Sequence, residues 1–271
     1  MTRILAFTRA VPASIVRCEL THLARTPIDL ARAREQHAAY ERALESAGCE
    51  IVQLPELDEH PDSVFVEDVA VVLDEVAIAT QPGAASRRGE VDSAAEALRA
   101  HRRILRLEGD ATLDGGDVLA LGRALFVGLT RRTNAAGARQ LRERVAPFGY
   151  AVTELEVEGA LHLKTAVTRA SQHALVVNPR WVDASRFGDF ARIEVDAREP
   201  FAANVLWLGA ATLCAAAFPR THERLRAHGV RVAPVDVSEL AKAEAGVTCC
   251  SLLVQRRLGS GTNWPKTTIR A

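Results

Sequence analysis

The sequence has neither an excess of charge of one sign nor a long hydrophobic run. Its 271 residues include 34 Lys and Arg against 34 Asp and Glu. Binding to nucleic acid or to an anionic membrane is therefore not favoured, and a charged ligand must be recognised by local charges. No stretch approaches the ~18 apolar residues that cross a bilayer, and the first residues lack the apolar run of a signal peptide. We expect a globular protein outside the membrane.

Paired cysteines and nucleotide motifs are also missing. The cysteines are odd in number and dispersed, without a CxxC pair, at Cys18, Cys49, Cys214, Cys249 and Cys250. This pattern argues against a disulfide framework or structural zinc and predicts a reducing, cytoplasmic location. The histidines show no HExxH spacing, and neither GxGxxG nor a P-loop is present. The sequence gives no sign of a metal or nucleotide cofactor.

What the sequence does contain is a repeat of two strands, a helix and a third strand. The clearest copy predicts strands at Val66–Leu73 and Val76–Thr80, a helix at Ser86–Ala100 and a strand at Ile104–Leu107. Five copies recur at a spacing of roughly 45–55 residues, which indicates repeated supersecondary units. The others are predicted at Val118–Leu121, Ala124–Gly128, Asn134–Ala146 and Ala151–Val157; at Thr165–Thr168, His173–Val177, Asp183–Phe190 and Ile193–Val195; at Val205–Leu208, Ala211–Ala217, Arg220–His228 and Val230–Val235; and more loosely at Arg3–Phe7, Ile28–Ala47 and Glu50–Leu54.

This repeat predicts an α/β fold of five ββαβ units around a shared axis. A doubly wound sheet would alternate single strands with helices, whereas these strands come in hairpin pairs. Short units cannot each bury a face alone, so they should pack side by side, with the C-terminal strand closing the ring. Loops that converge on the axis are a natural place for a small polar pocket. The polar segment from Arg256 to Ala271 lacks periodicity and predicts a frayed tail.

Two adjacent thiols lie in the segment Gly246–Leu253, which is typical of a strand entered through a glycine. Successive strand residues point to opposite faces, so only one thiol can look into a pocket and the other should pack. This parity does not say which of Cys249 and Cys250 does so. Both can also be core cysteines, because buried packing is common for free Cys and a nucleophile needs a His elsewhere.

Ionisable residues recur where the predicted hairpins begin. Glu67 and Asp68 open one, Asp114 another and His162 a third. Taken singly, each acid suits a solvated turn, and a His between apolar residues is commonly a satisfied core residue. Their equivalent positions favour a shared site on the axis. With Cys249 they form a Cys/His/acid set, in which a thiolate attacks an electron-poor carbon and the imidazole moves protons.

Arginine pairs stand at equivalent helix starts, Arg87–Arg88 in one unit and Arg131–Arg132 in the next. Guanidinium groups bind carboxylates in a bidentate way, so one arginine from each pair can grip a carboxylate ligand. Solvated helix-start arginines are the alternative, and it suits Arg88 and Arg131 better. Acids for a cation and arginines for a carboxylate are compatible with a guanidino amino acid.

Six segments, at 61–68, 82–90, 113–118, 132–138, 161–165 and 246–252, resemble dimethylarginine dimethylaminohydrolases, enzymes of the guanidine-modifying superfamily. The resemblance runs in order from residue 3 to 255. It implies a five-bladed α/β propeller, with residues 1–255 as a single catalytic domain. Residues 256–271, which the resemblance does not cover, are expected from their composition to be a disordered tail. The resemblance also implies hydrolysis of Nω-methylated arginine to citrulline and dimethylamine or methylamine, without a metal or organic cofactor.

The same resemblance implies a role for each matching residue. Cys249 would be the nucleophile and His162 the general acid and base, while Asp114 and Asp68 would hold the guanidinium nitrogens. The remaining substrate contacts would be Glu67 beside these acids, Arg87 and Arg132 at the α-carboxylate, Asp62 at the α-amine with backbone carbonyls near Leu20 and Ala243, and Phe65 in the pocket wall. Cys250 stands where some relatives have Met, and Asp114 where some have Glu.

Three other interpretations remain open at this point. An arginine deiminase shares the Cys/His/acid logic, although deiminases of this fold usually carry an added helical domain for which five filled units leave no room. A silent amino-acid-binding module would need the acids and arginines but not both His162 and Cys249. Zinc held by that thiol and imidazole is a third possibility, as an inhibitory event. We expect a small-molecule substrate and no nucleic-acid or membrane partner, for a monomer or a homodimer.

Overall fold

The computed structural model describes residues 2–257, which form five sheets of three strands each. The strands are β1 (Thr2–Thr8), β2 (Cys49–Gln53), β3 (Ala70–Val72), β4 (Val76–Ala79), β5 (Arg103–Arg106), β6 (Val118–Leu121), β7 (Ala124–Leu129), β8 (Ala151–Glu156), β9 (Val167–Arg169), β10 (Ala174–Val177), β11 (Ala191–Glu194), β12 (Val205–Trp207), β13 (Thr212–Ala215), β14 (Val232–Val235) and β15 (Leu252–Arg257). The helices are α1 (Leu30–Ser46), α2 (Val91–Arg99), α3 (Ala135–Val145), α4 (Leu163–Ala166), α5 (Pro219–Ala227) and α6 (Ser238–Ala241). Single 3-10 turns lie at Ala13–Arg17, Val66–Val69, Ala85–Glu90, Gly115–Asp117, Ala146–Phe148 and Ala184–Phe187.

Four sheets are built in the same way, as an antiparallel hairpin followed by a helical connection and a third strand parallel to the second. In the fifth sheet, β15 pairs antiparallel with β1, and β2 pairs parallel with β1 after α1. The pairing runs from Phe7 opposite Leu252 to Thr2 opposite Arg257. The predicted α/β fold of five ββαβ units, closed by a C-terminal strand, is confirmed.

The hydrophobic core is divided into five clusters, each between two neighbouring sheets. The central strand of a sheet serves both neighbours, because successive side chains point to opposite faces. In β7, Leu125 and Val127 pack towards the β3–β4–β5 sheet, whereas Phe126 packs towards the β9–β10–β11 sheet. Strands buried on both faces read as continuous apolar runs, which is the pattern that β4 and β10 show.

The strand predicted at Gly246–Leu253 is wrong in its first part. Residues 247–250 form a turn, and β15 begins only at Leu252. The backbone of this turn bonds to other units instead of a ladder partner: the Cys249 carbonyl accepts from Glu67 N–H, and Thr248 N–H donates to the Asn204 side chain. Hydrogen bonds with distant residues have overridden a β-branched local pattern.

Smaller differences affect other boundaries. The strand predicted from Val66 starts at Ala70 after a 3-10 turn, and α4 occupies the first half of the strand predicted at Thr165–Thr168. Between β10 and β11, a single 3-10 turn at Ala184–Phe187 stands where a helix over Asp183–Phe190 was predicted. Asp183 caps this turn by accepting from Ser185 N–H, and Gly188, with a φ of 65°, follows it.

The predicted tail overlaps the closing strand, because β15 continues to Arg257 and so includes Arg256. The rest of that tail, residues 258–271, lies outside the described residues. Among residues 2–257, no helix has both the length and the apolar character needed to cross a membrane.

Candidate active site

The turns that lead into the four hairpins and into β15 carry the polar residues of the site. Asp68 lies in the 3-10 turn just before β3. In the same way, Asp114 precedes β6, His162 precedes β9 and Asn204 precedes β12. Cys249 occupies the same place before β15. Three of these positions were predicted as equivalent; the structure adds Asn204, whose amide bonds Thr248 and the Lys164 carbonyl. Asn204 thereby ties the turn of the thiol to the turn of the histidine, and its place just before a strand is the signal that sequence reasoning missed.

His162 lies between two carboxylates. Its Nε2 is 3.0 Å from Asp114 Oδ2 and its Nδ1 is 3.8 Å from Asp68 Oδ1. Burial alone would lower the pKa of His162, but the carboxylates of Asp68, Asp117 and Asp114 raise it to about 9. The imidazole therefore carries two protons at neutral pH, with one N–H facing each neighbouring carboxylate.

Gly116 explains the glycine pair that follows Asp114. A Cβ at Gly116 would lie 2.7 Å from His162 Nδ1 and 2.8 Å from Asp68 Oδ1. Real side chains do not approach so closely, so only glycine lets the backbone pass beside this pair. Gly116 N–H also donates to Asp68 Oδ1 at 3.0 Å. The glycine serves a close approach within the site, not a phosphate.

Asp117 is a buried acid that the sequence did not single out. Its Oδ1 accepts from Leu163 N–H, the residue after His162, and its Oδ2 accepts from the hydroxyls of Thr130 and Thr133. Burial raises the pKa of Asp117 to about 6, although His162 opposes the increase. Asp117 therefore anchors the turn that presents the imidazole.

Asp68 is ionised in the structure. Burial would raise the pKa of its carboxyl, but His162 and Arg87 outweigh burial and lower it to about 2. Asp68 Oδ2 accepts from Arg87 Nη1, while Oδ1 faces the imidazole. A permanent negative charge thus stands beside His162, where it can attract a cationic ligand.

Arg87 is almost fully buried and is bonded on every side by the protein. Its guanidinium donates to Glu90, to Asp68 and to the carbonyls of Asp62 and Phe65. Burial alone would lower the pKa of Arg87, but Glu90 and Asp68 raise it above its usual value. These contacts favour a role in fixing Asp68. The predicted contact of Arg87 with a substrate carboxylate stays a prediction that they do not support.

Cys249 is partly exposed in the cavity, whereas Cys250 is buried in the core cluster that contains Tyr40 and Leu44. One thiol faces the pocket and the other packs, as predicted, although the two cysteines lie in a turn and not in a strand. Cys249 Sγ accepts from Gly246 N–H at 3.3 Å. Burial, with Glu67 and Asp68 adding to it, raises the pKa of Cys249 to about 12. The thiol is therefore protonated in the free protein.

The cavity that joins these groups is narrow, at about 20 Å³, so a ligand of amino-acid size must displace part of its wall. Nine of the eleven predicted site residues line it; the exceptions are Leu20, in the segment before α1, and Glu67. The Glu67 carboxylate points elsewhere, to Lys164 Nζ and the Thr248 hydroxyl. Lining residues that were not predicted are Glu19, Leu161, Glu244 and Ala245.

The cavity lining also includes a further acid, Asp62, and a further arginine, Arg132. Asp62 Oδ2 accepts from Glu19 N–H at 3.0 Å, and burial raises the pKa of Asp62. Arg132 Nη2 donates to the Thr21 hydroxyl at 3.0 Å. Arg131, the neighbour expected to be solvated, is exposed, as is Arg88 of the other pair. A carboxylate and a guanidinium side by side suit the amine and the carboxylate of an amino acid.

A second cavity, of about 350 Å³, adjoins the first across Leu161, Glu244 and Ala245. Its lining is mostly apolar and includes none of Cys249, His162 and Asp114. Size alone would select this cavity, but the ionisable groups that can carry chemistry converge in the smaller one.

Asp68, Asp114 and His162 each offer one ligand atom, and these atoms lie within 4.8 Å of one another. A metal ion can be held by such a set, although Cys249 is not part of it. The same atoms are already paired within the protein: Asp114 with His162, and Asp68 with Arg87 and Gly116 N–H. Two carboxylates around an imidazolium carry a net negative charge, which suits a guanidinium equally well.

Comparisons with known proteins place this geometry in a family. No family model matches the chain. The dimethylarginine dimethylaminohydrolase of Pseudomonas aeruginosa is 38% identical over 226 residues, covering 83% of this chain and 89% of the relative. The enzyme of that name from Streptomyces coelicolor is 40% identical over 234 residues, covering 86% and 90%.

Solved structures agree with the sequence comparisons. The Pseudomonas aeruginosa enzyme, as a cysteine-to-serine mutant in complex with citrulline, superposes with a TM-score of 0.88 at 36% identity, covering 93% of this chain and 99% of that one. The N-terminal domain of ArgZ, an arginine dihydrolase from cyanobacteria, reaches 0.84 at 20% identity, covering 93% and 97%, which shows a common fold only. From the fold, the identity and the coverage together, the chain belongs to the dimethylarginine dimethylaminohydrolase family.

Proposed function

We propose that this protein hydrolyses Nω-methylated L-arginine, both asymmetric dimethylarginine and monomethylarginine, to L-citrulline and dimethylamine or methylamine. The observation that carries the proposal is the buried Asp114–His162–Asp68 arrangement in one cavity with the Cys249 thiol. It combines a nucleophile, a charged imidazole and a negative site for a guanidinium. The family relationship and the citrulline bound to the Pseudomonas aeruginosa relative support the same activity.

Substrate binding follows from the two ends of the cavity. The guanidinium lies against Asp68, and its central carbon faces Cys249. At the other end, Asp62 accepts from the α-amine and Arg132 binds the α-carboxylate, with Phe65 and Ala243 in the wall between. Leu20 and Glu67 do not line the cavity, so we assign Glu67 to holding Lys164 and Thr248 behind the site.

The thiol must lose its proton before it can attack. Its raised pKa keeps Cys249 neutral in the free protein, where Asp68 and Glu67 disfavour a thiolate. An incoming guanidinium neutralises this negative field, and the charged His162 adds to the effect, so the thiol releases its proton to solvent water as the cation binds. The thiolate then attacks the guanidinium carbon and forms a neutral tetrahedral adduct.

His162 moves the protons of the two following steps. As imidazolium, it donates a proton to the methylated nitrogen, and dimethylamine leaves with the C–N electron pair, so that an S-alkylthiouronium cation remains on Cys249. The neutral imidazole then takes a proton from water, whose oxygen attacks the same carbon. Breaking the C–S bond releases the thiolate and O-protonated citrulline, and transfer of that proton to the thiolate yields citrulline and the resting thiol. Asp114 orients the imidazole through its 3.0 Å contact with Nε2.

Product analysis by mass spectrometry tests the proposal. Asymmetric dimethylarginine should yield equal amounts of citrulline and dimethylamine, whereas arginine should yield no citrulline. Citrulline and ammonia from arginine alone would instead assign a deiminase activity to the same residues. If neither dimethylarginine nor arginine gives a product, both assignments are contradicted.

Replacing Arg132 with Ala should raise KM for dimethylarginine by about 10- to 100-fold with a smaller change in kcat, because a charge-assisted bond to the substrate carboxylate is lost. Steady-state kinetics measure this split. Arg131→Ala is the matched control, since the neighbouring side chain is exposed and should leave KM unchanged. An unchanged KM in Arg132→Ala would remove this residue from the carboxylate site.

The raised pKa of Cys249 predicts how the free protein reacts with iodoacetamide. Because the thiol titrates near pH 12, its alkylation rate should rise by about tenfold per pH unit from pH 7 to pH 10 without a plateau. Mass spectrometry of the modified peptide gives the rate, and Cys249→Ser gives the background of the four buried cysteines. A plateau below pH 9 would show that the thiolate is more stable in the free site than this account allows.

We also propose a cytoplasmic location, supported by five cysteines that are all free in the described chain. The partner of the site is then a small molecule, the methylated amino acid. Neither nucleic acid nor a membrane is part of the proposal, and the assembly, as monomer or homodimer, is left open by it.

A further inference from the structure

Glu244 has a backbone conformation that residues other than glycine rarely adopt. Among residues 2–257 it is the one non-glycine residue with a positive φ, at 60°. This left-handed region favours glycine, because a Cβ crowds the following carbonyl there. A glutamate at such a position therefore calls for a compensating interaction of its side chain.

The Glu244 carboxylate makes that interaction with a distant segment. It accepts from three successive backbone N–H groups, those of Thr21, His22 and Leu23, at 2.5–3.1 Å. Successive N–H groups that point into one concavity form a binding site for an anion, and here the anion is a side chain of the protein. The contact joins residues 21–23 to the turn that precedes Cys249.

Both ends of this connection meet the catalytic cavity. On one side, the Thr21 hydroxyl accepts from Arg132 Nη2 at 3.0 Å. On the other, Glu244 itself lines the cavity, and two residues later Gly246 N–H donates to Cys249 Sγ at 3.3 Å. The Glu244 carboxylate thus connects the segment that precedes Cys249 with Thr21, whose hydroxyl contacts Arg132.

We infer that Glu244 is a positioning residue for substrate binding. It holds the backbone of Thr21 where the threonine hydroxyl fixes the Arg132 guanidinium towards the cavity. The inference rests on the proposed function, because Arg132 is assigned there to the substrate carboxylate. Glu244 does not touch the reacting atoms, so its removal should weaken binding and leave the chemical steps nearly intact.

Glu244→Gln is the conservative test. The amide keeps the shape but removes the negative charge that all three N–H groups face at Oε1, and its NH₂ group, placed at Oε2, opposes Thr21 N–H. KM for dimethylarginine should rise about tenfold while kcat stays within about twofold. An unchanged KM would contradict the inference, and so would a lower KM, since that result would mean that the contact hinders substrate entry.

Glu244→Gly separates positioning from general stability. Glycine relieves the strained backbone and deletes the carboxylate at the same time. We expect KM to rise as in Glu244→Gln while the midpoint temperature of thermal unfolding stays equal or increases. A purely structural role for Glu244 predicts the opposite result, a lower midpoint with KM unchanged.

A double-mutant cycle tests the path through Thr21. Thr21→Val removes the hydroxyl that Arg132 contacts but leaves the backbone N–H in place. If Glu244 acts through this hydroxyl, the double variant should have a KM close to that of the more affected single variant; additive effects would overturn the path. Glu239→Gln is the control: it loosens the Asp29 N–H at the far end of the same segment and should leave KM unchanged.

Amide hydrogen exchange of the resting protein keeps this inference distinguishable from the proposed function. Exchange at Thr21, His22 and Leu23 should accelerate at least about tenfold in Glu244→Gln and stay unchanged in Glu239→Gln. Absence of turnover in the wild type would refute the proposed function while this measurement still stands. Unaltered exchange at the three amides would refute the connection itself.

Discussion

Cys249→Ser should abolish turnover of dimethylarginine, with kcat reduced by about 10⁴-fold or more. The serine hydroxyl fills the same space but does not form the anion that attacks the guanidinium carbon, and no other described thiol lines the cavity. Binding should survive, because Asp68, Asp62 and Arg132 are unchanged. Steady-state turnover together with calorimetric titration of citrulline measures the two effects separately.

Cys250→Ala is the matched control for this variant. The neighbouring thiol is buried in the core against α1, so its loss should lower the free energy of unfolding by about 1 kcal/mol and leave kcat within about threefold. Normal turnover in Cys249→Ser, or complete loss in Cys250→Ala with the fold retained, would transfer the nucleophile to the other thiol.

Asp114→Asn should reduce kcat by about 10³- to 10⁴-fold, by analogy with the loss when a buried acid beside a catalytic histidine is made neutral. Asp114 Oδ1 accepts from Gly83 N–H and Oδ2 faces His162 Nε2 at 3.0 Å. An asparagine that keeps its oxygen on Gly83 N–H turns an NH₂ donor towards Nε2. Nε2 then accepts from this donor, which favours the neutral imidazole with its proton on Nδ1, and His162 loses one of the carboxylates that raise its pKa.

The effect of Asp114 on the protonation of His162 can be measured separately from turnover. Histidine NMR should show a lower pKa for His162 in Asp114→Asn than in the wild type, where the neighbouring carboxylates hold it near 9. Asp110→Asn is the control, because this acid lies in the preceding turn and is exposed. An unchanged pKa with full activity would mean that Asp68 alone sustains the imidazolium.

Sequence reasoning predicted the ring of units because its signal is local and repeated. Strands such as β4 and β10 are buried on both faces, so their apolar runs are unmistakable, and glycines mark the turns between them. The entry turns were harder to predict. Val66–Val69 and Leu163–Ala166 adjoin apolar strand residues, yet their backbones curl into helical turns beside Asp68 and His162. Contacts between distant residues decide these turns, and no local pattern records them.

The site was predicted in its membership more than in its internal pairing. The acids, the histidine and the thiol could be chosen because they recur at equivalent positions. Which acid faces which partner depends on small differences in contact distance, such as 3.0 Å from His162 to Asp114 against 3.8 Å to Asp68. Asp114 contacts His162, and Arg87 contacts Asp68, whereas the predicted contacts of these two residues with a substrate stay predictions. Glu244 left no motif, because its partners are backbone N–H groups 221 to 223 residues away.

The pairing of β1 with β15 has a consequence for biosynthesis. Strand β1 is made before the four intervening units and before its antiparallel partner at Leu252–Arg257, so its sheet stays incomplete while those units are made. Both core clusters that flank this sheet also wait for residues from the other end of the chain. The nascent protein is thus an open arc in which β1 and β2 expose apolar surface until Leu252–Arg257 has been made, and this exposed surface is a target for chaperones.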